Sequence, residues 1–349
     1  MWKPPIIETE RLILRDLRIN DQNDIFEYAQ KPVISQYTLW EPHQSLEDST
    51  DYIKNYAEEY YKEGTPEPLG IELKENGKMI GCVGCFWVSK KNKMMELAYV
   101  ISDSHWGKGI MAEASNALID YCFKLYGIER MQCRCKEENL ASFRVMEKLG
   151  MRYEGTLRAA INHRGRFWNM KYCSLLREDW KANKTGLGAY IRRAEFGDEE
   201  GIHTAHMKSI KEICSKDYTE EQINAWGGRE YNYEGKRKLI EEQAVWVVES
   251  NGKIEGYALL FSDKDKPTAE IGALYFTSVV CGKGLAKEML FYMKEFAKVF
   301  GKKEIYLSST KTSKSFYKAQ GFEQYADDDS CMIGGVAVEG HPMKLILIN

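Results

Sequence analysis

Apolar and polar positions alternate over short stretches and then switch to a three-to-four spacing. This succession runs through the chain twice in the same order. Residues 10–17 alternate and end at the charged Arg15-Asp16, which predicts a strand. The cap signals Asn20 and Asp21 precede a helix with Ile25, Phe26 and Tyr28 on one side. Residues 46–62 read as a second helix. Residues 69–73 and 79–88 flank Asn76-Gly77 and predict a hairpin, and residues 94–101 predict a further strand. Residues 111–125 carry helical spacing at Ala114, Leu118, Tyr121, Cys122 and Leu125. A strand follows at 130–136, then a short helix at 140–149 stopped by Gly150, then an antiparallel pair at 153–161 and 167–176.

The second succession opens at Tyr190-Ile191-Arg192-Arg193-Ala194. Helices are predicted at 198–214 and 220–225, a hairpin at 245–249 and 254–261, and a strand at 269–276. A helix at 285–300, a strand at 304–309, a helix at 313–319 and a strand at 343–348 complete it. Residues 181–188 form a polar, glycine-containing linker, so residues 1–180 and 189–349 are the expected domains. Each is an α/β unit with parallel βα pairing inside a largely antiparallel sheet.

Two landmarks support duplication. Trp106-Gly107-Lys108-Gly109-Ile110-Met111-Ala112 opens the 111–125 helix, and Cys281-Gly282-Lys283-Gly284-Leu285-Ala286-Lys287 opens the 285–300 helix. The interval from Gly109 to Gly284 is the same as that from Asn76-Gly77-Lys78 to Asn251-Gly252-Lys253. A glycine-rich turn from strand to helix presents bare backbone N–H groups to a phosphate.

Composition narrows the class. The chain has 349 residues, 49 Lys and Arg against 52 Asp and Glu, and a net charge of −3, which gives no reason to expect nucleic acid or an anionic membrane as partner. The first residues, Met1-Trp2-Lys3-Pro4-Pro5, carry no signal-like apolar region, and no apolar run nears the roughly 18 residues of a membrane span, so a cytoplasmic location is expected. The nine cysteines form no framework; Cys133 and Cys135 are expected reduced in or near the core, and no metal site is expected.

The glycine turns admit several readings. A Walker A loop needs G-x-x-x-x-G-K-[ST], which is absent. Gly107-x-Gly109-x-x-Ala112 satisfies a loose dinucleotide pattern, but it follows several strands instead of the first, and the copy at Gly282 lacks the third small residue. A purely structural turn also remains open.

The turns resemble the pyrophosphate-binding signature of the GCN5-related N-acetyltransferases (GNATs), usually Q/R-x-x-G-x-G/A. The first copy matches at Gly109, and the second at Gly284 and Ala286. Neither begins with Gln or Arg, and Met111 departs at the last position. The first half is similar to the branch that acetylates N-termini of ribosomal proteins, on Asn139-Leu140-Ala141-Ser142-Phe143-Arg144-Val145-Met146-Glu147-Lys148-Leu149-Gly150-Met151 and Tyr153-Glu154-Gly155-Thr156-Leu157-Arg158. Ile161 and Asn169 stand where relatives carry acids, which counts against a peptide N-terminus as its acceptor. The second half resembles a small-molecule branch, on Ser315-Phe316-Tyr317-Lys318-Ala319-Gln320-Gly321-Phe322.

The resemblance implies two tandem acetyl-CoA-dependent domains, each a mixed, mostly antiparallel twisted sheet flanked by helices. The acceptor is then a small-molecule amine or a peptide N-terminus, which attacks directly and without a metal. Tyr317 falls at the family's acid for the departing thiolate, and Ser142 at a position that assists there. As plain residues, Tyr317 is also a packing ring and Ser142 a helix-surface serine or cap. Asn139 is a helix cap or a coenzyme contact. Trp106 through Ala112, Cys281 through Lys287 and Phe316 fall on the coenzyme side. Backbone N–H groups near Val100-Ile101 and Tyr275-Phe276 would polarise the thioester, and helix N-termini at Ile110 and Leu285 would face the pyrophosphate beside Lys108 and Lys283. An amine of pKa about 10 must lose a proton before it attacks, and Glu96 and Glu270 are the candidate bases. His203, His206, Ser209, Asp217, Tyr218 and Trp226 fall in the substrate-side region. Asp327-Asp328-Asp329 is a cation-accepting pocket or a solvated loop. Most turnover is expected in the second half, with the first as the alternative non-catalytic acyl-CoA-binding, regulatory or structural module. A two-domain monomer and a homodimer both remain open.

Overall fold

The structure, a computed structural model, describes residues 2–184 and 188–347. The chain divides into two compact units, with the boundary along the sequence between Asn183 and Lys184.

The first unit contains strands β1 (Ile7–Glu8), β2 (Leu12–Arg15), β3 (Leu69–Leu73), β4 (Met79–Ser89), β5 (Met94–Ile101), β6 (Arg130–Lys136), β7 (Arg152–His163) and β8 (Arg166–Leu176). Its helices are α1 (Gln22–Ala29), α2 (Pro32–Ser35), α3 (Leu46–Asp51), α4 (Glu58–Lys62), α5 (Ile110–Tyr126), α6 (Leu140–Lys148) and α7 (Arg177–Lys184). The sheet order is β1-β2-β3-β4-β5-β6-β8-β7. All pairs are antiparallel except β5 with β6. That parallel pair follows from α5, which returns the chain to the same end of the sheet. The apolar positions expected along α5 are buried, with Ala114, Leu118, Cys122 and Leu125 fully so.

The second unit contains β9 (Tyr190–Arg193), β10 (Ala244–Ser250), β11 (Lys253–Phe261), β12 (Thr268–Phe276), β13 (Glu304–Ser309), β14 (Glu323–Gln324), β15 (Asp329–Ile333) and β16 (Val336–Ile346). Its helices are α8 (Glu199–Ile213), α9 (Glu220–Gly227), α10 (Tyr233–Glu242), α11 (Leu285–Val299) and α12 (Lys314–Ala319). The order is β14-β16-β13-β12-β11-β10-β9, with β15 paired to β16 and only β12–β13 parallel. Ile202 of α8 packs with Val245, Val247, Tyr257 and Leu259 beneath this sheet.

The duplication extends to a buried ion cluster. Arg15 holds Asp21 through two bonds of 2.8 Å and Glu72 at 2.6 Å. Arg192 holds Asp198 at 2.7 and 2.8 Å and Glu249 at 2.7 Å. The three positions are displaced equally, Arg15 to Arg192, Asp21 to Asp198 and Glu72 to Glu249. Each arginine joins its strand to the neighbouring strand and to the approach to the first helix.

Several elements differ from expectation. Residues 46–62 are helical throughout, but the middle, Tyr52–Ala57, is π-helical. That wider turn stacks Tyr52 on Tyr56, with ring centres 5.2 Å apart. Helix α7 takes in the first four residues of the expected linker, and residues 185–187 lie outside the described residues. Helix α10 is absent from the sequence expectation; Asn232 caps it by accepting from the Gly235 N–H at 2.8 Å. The closing strand begins at Val336, not 343, because Gly334 and Gly335, both at positive φ, turn β15 into β16. Residue 348 lies outside the described residues. The two Asn-Gly landmarks also diverge. Asn251-Gly252 forms a two-residue hairpin with both φ positive, whereas Asn76-Gly77 sits in a longer loop between Leu73 and Met79. No helix among the described residues is long and apolar enough to cross a membrane.

Candidate active sites

Each parallel strand pair opens after three rungs. β5 pairs with β6 only through Met94–Arg130, Met95–Met131 and Glu96–Gln132. β12 pairs with β13 only through Thr268–Glu304, Ala269–Ile305 and Glu270–Tyr306. Past those rungs the strands part, and the backbone edges of residues 97–101 and 271–276 that face the parting have no strand partner. Strand alternation turns the N–H groups of Tyr99, Ile101, Leu274 and Phe276 toward the parting, whereas those of Val100 and Tyr275, also expected there, face β4 and β11. Glu96 and Glu270 occupy the last rung of their pairs.

The glycine turn follows each of these strands. Gly107 and Gly109 have φ of 74° and 75°, and Gly282 and Gly284 have φ of 79° and 81°. These left-handed conformations favour glycine and carry the chain straight into the helix. A Cβ added at Gly107, Gly282 or Gly284 would meet nothing within 4 Å, and one at Gly109 only the Arg11 guanidinium at 3.8 Å. The glycines at the entrances of α5 and α11 thus have open space beside them. Lys108, Cys281, Lys283 and Lys287 are exposed around them, whereas Ile110, Met111 and Leu285 turn into the core and Ala112 and Ala286 are half-buried. Trp106 is about half exposed and donates its indole N–H to the Ile101 carbonyl at 3.0 Å. Arg11 braces the first turn by donating to the Lys108 carbonyl and to Glu113.

In the first unit the parting opens into a cleft of about 930 Å³ that runs from the Gly107–Ala112 turn to the π-helical segment. Ser142 lies in the first turn of α6. Asn139 is the cap of that helix, its side chain accepting from the Ser142 N–H at 3.0 Å. The Ser142 hydroxyl meets the Tyr99 hydroxyl at 2.9 Å, and Tyr99 also reaches the Ser142 carbonyl at 3.1 Å. Burial pushes the Tyr99 phenol well above its ordinary pKa. Glu96 is buried with both oxygens occupied, one by Gln132 at 2.7 Å and one by Arg134 at 2.8 Å.

A second carboxyl in this cleft has no such partners. Glu67 is 4% exposed; one oxygen accepts from the Tyr56 hydroxyl at 3.0 Å, and the other is buried without a hydrogen bond. Burial, opposed by the Tyr56 bond and reinforced by the charge of Glu96, pushes its pKa from 4.5 to about 8. The side chain rests on Gly84 of β4, where any Cβ would collide with it. The sequence pattern singles out neither Glu67 nor Tyr99. The one local signal is a glutamate between two prolines, Pro66-Glu67-Pro68, directly before a strand. Asn169, where relatives carry an acid, ties Ala159 N–H and Glu137 together, and Ile161 pairs with Trp168 across β7–β8.

In the second unit Tyr317 occupies α12, at the same interval from Ser142 as Gly284 from Gly109. Its ring lies between Phe316 and Phe322, with centres 5.3 and 5.4 Å away. Burial, with a contribution from Tyr275, pushes its phenol up, and among the described residues its hydroxyl makes no hydrogen bond to the protein. His206, Tyr218, Trp226, Tyr257 and Tyr275 form one aromatic cluster. His206 Nδ1 meets the Tyr257 hydroxyl at 3.1 Å; burial, aided by Lys236 and Arg229, pushes its pKa down to about 2, so it is neutral. Tyr218 donates to the Glu339 carbonyl at 3.1 Å, and Ser209 is buried on α8. Glu270 is exposed, outside this cluster. Asp328 of the acidic run accepts from His341 at 2.6 Å. Among the described residues no group of three or more His, Cys, Asp or Glu is placed to hold a metal ion.

Comparison with known proteins follows this geometry. Two family models, each described as an acetyltransferase (GNAT) domain, match residues 11–152 and 214–347. A protein of Bacillus licheniformis named uncharacterized N-acetyltransferase p20 is 29% identical over 172 residues, 49% of this chain and 96% of its own. The uncharacterized N-acetyltransferase YoaA of Bacillus subtilis is 29% identical over 173 residues, 50% of this chain and 97% of its own. A crystal structure of a GNAT-family acetyltransferase from Bacillus anthracis covers 50% of this chain and 99% of its own at 26% identity, with a TM-score of 0.45. Each relative is thus the size of one half of this chain. With one model matched in each unit, on either side of the sequence boundary, the chain belongs to the GNAT acetyltransferase family and carries an acetyltransferase domain in each half.

Proposed function

We propose that acetyl-CoA and an amine meet in the cleft of the first unit, and that the acetyl group passes directly to the amine nitrogen. One observation carries this reading. The cleft that begins at the glycine turn also contains a hydroxyl pair, Tyr99–Ser142, and a buried carboxyl, Glu67, bonded to the more exposed Tyr56 phenol. In this reading the ionised Glu67, through the Tyr56 phenol, takes the proton the amine must lose. The Tyr99–Ser142 pair supplies a proton to the departing thiolate. The N–H of Ile101, on the edge of β5 that faces the parting, polarises the thioester carbonyl. A positioned acid or base is worth roughly 10²–10⁴ in rate, and an oriented N–H donor on the order of 10²–10³. Glu96 then serves to fix Arg134 and Gln132, because both its oxygens are already held.

The second unit supports a parallel reading in which Tyr317 protonates the thiolate. The observation in its favour is a buried phenol with no protein hydrogen-bond partner among the described residues. The experiment is thiol release from acetyl-CoA by the full chain against amino acids, polyamines, aminoglycosides and peptide N-termini. It is repeated with Gly109→Glu and Gly284→Glu. Loss of turnover in Gly109→Glu is expected; wild-type turnover in that variant sinks the assignment to the first cleft.

A further inference from the structure

Lys136, the last residue of β6, lines the first cleft and is 1% exposed. Its ammonium donates to the Thr38 carbonyl at 3.2 Å and to His163 Nδ1 at 3.1 Å, and lies 4.2 Å from the centre of the Trp168 ring. None of these groups is an anion. His163 accepts at that nitrogen, and burial together with the charges of Lys136 and Arg164 holds its pKa below the ordinary value.

The nearby acids are engaged elsewhere. Glu41 pairs with Arg164 at 2.8 Å and reaches only the far nitrogen of His163, at 3.7 Å; Glu138 pairs with Arg166 at 2.5 Å, and Glu96 with Arg134 at 2.8 Å. No carboxylate forms an ion pair with Lys136 among the described residues. A cation taken out of water without a counter-charge is costly, and here burial lowers its pKa. A site of this kind is completed by an anion from outside. The phosphates of coenzyme A have their own donors at the turn after β5, whereas Lys136 is framed by Thr38, His163 and Trp168.

We propose that the amine acetylated in the first cleft carries an oxyanion, a carboxylate or a phosphate, which seats on Lys136. The acceptor is then zwitterionic, with its ammonium directed to the Tyr56–Glu67 pair. This rests on the reading of the first cleft as the site of acetyl transfer.

The test is calorimetry on the full chain in the presence of coenzyme A. The probes are product-like acids with their neutral counterparts: N-acetylphenylalanine against its amide, and N-acetyl-O-phosphoserinamide against N-acetylserinamide. A charge-assisted contact predicts that at least one acid binds roughly 10–100-fold more tightly than its neutral partner. The phosphate probe is a C-terminal amide, so the acid that binds more tightly distinguishes carboxylate from phosphate. Lys136→Met keeps the side-chain length and should reduce the preference to within about twofold, while Lys136→Arg should retain it. Equal binding of acids and neutral partners, no saturable binding of either acid, or a preference that survives Lys136→Met overturns the proposal. Turnover that withstands Gly109→Glu, with the acid preference intact, would instead refute the transfer site and leave the anion site standing.

Discussion

Replacing Glu67 by Gln removes the titrating proton and keeps the shape, so it tests whether this carboxyl is held protonated. Folded, its pKa is about 8; in the unfolded chain it returns to the ordinary 4.5. The sign follows from proton counting. Below pH 4.5 both states are protonated and the carboxyl contributes no pH dependence. Between 4.5 and 8 the unfolded chain releases the proton while the folded unit keeps it, so stability falls as pH rises. Above 8 both states are ionised and the loss is complete. The two values differ by about 3.5, at about 1.4 kcal/mol for each pH unit, which gives a total of roughly 5 kcal/mol. Between about pH 5.5 and 8.5 the part recovered by Glu67→Gln is on the order of 3 kcal/mol. A constant offset from the buried amide, whose N–H₂ group would lack a partner, cancels in the comparison across pH. The assay is hydrogen exchange of β3 and β4 amides in the full chain, wild type against Glu67→Gln at each pH, which reads the first unit alone. The groups facing Glu67 are Tyr52, Tyr56 and Tyr61 of the helical run, Cys82 and Cys85 of β4, and Glu96 of β5; none of the phenols or thiols ionises in this window. A stability gap that is the same at both ends of the window would mean that Glu67 is ionised throughout, and the reasoning fails.

Three further outcomes are expected. Gly109→Glu and Gly284→Glu place a carboxylate and a disfavoured positive φ at open helix N-termini. Each should abolish coenzyme binding in its own unit, measured as the stoichiometry of acetyl-CoA bound per chain, at a stability cost of only about 1–2 kcal/mol. Arg15→Ala strands Asp21 and Glu72, and Arg192→Ala strands Asp198 and Glu249. Each should destabilise its own unit by roughly 3–5 kcal/mol, read by urea unfolding with unit-resolved hydrogen exchange; a cost below about 1 kcal/mol would refute the buried-cluster account. Ser142→Ala should lower kcat by roughly 10–10³-fold with acetyl-CoA affinity kept, while Tyr317→Phe should do so only for an acceptor used by the second unit. An amine whose turnover ignores both substitutions would remove both hydroxyls from the chemistry.

The sequence by itself determined the order of most elements, the duplication, the glycine turns and the family. These are local quantities: an alternating or a helical period, a cap, a turn that only glycine adopts readily, an interval shared by two pairs of landmarks. The misses are instructive in the same terms. Helix α10 carries few apolar positions and is set by its Asn232 cap, so periodicity does not reveal it. The β15–β16 hairpin is mostly exposed and follows an acidic run, so its strands lack the alternation of buried ones. The π-helical turn at Tyr52–Ala57 leaves no mark on the apolar spacing, yet it faces two tyrosines along the cleft.

Only the tertiary structure decided which candidates are chemically available. Glu96 and Glu270 each hold the last rung of their parallel pair, but the first is buried against Arg134 and Gln132 and the second is exposed. Tyr56, Glu67, Tyr99, Lys136 and Ser142 come from five separate segments and line one cleft, which opens where β5 and β6 part after Glu96. Proton affinity and ionic pairing depend on desolvation and on neighbours a few ångströms away. Neither is encoded in the spacing of residues along the chain, and both are set when the sheet and its helices close around the cleft.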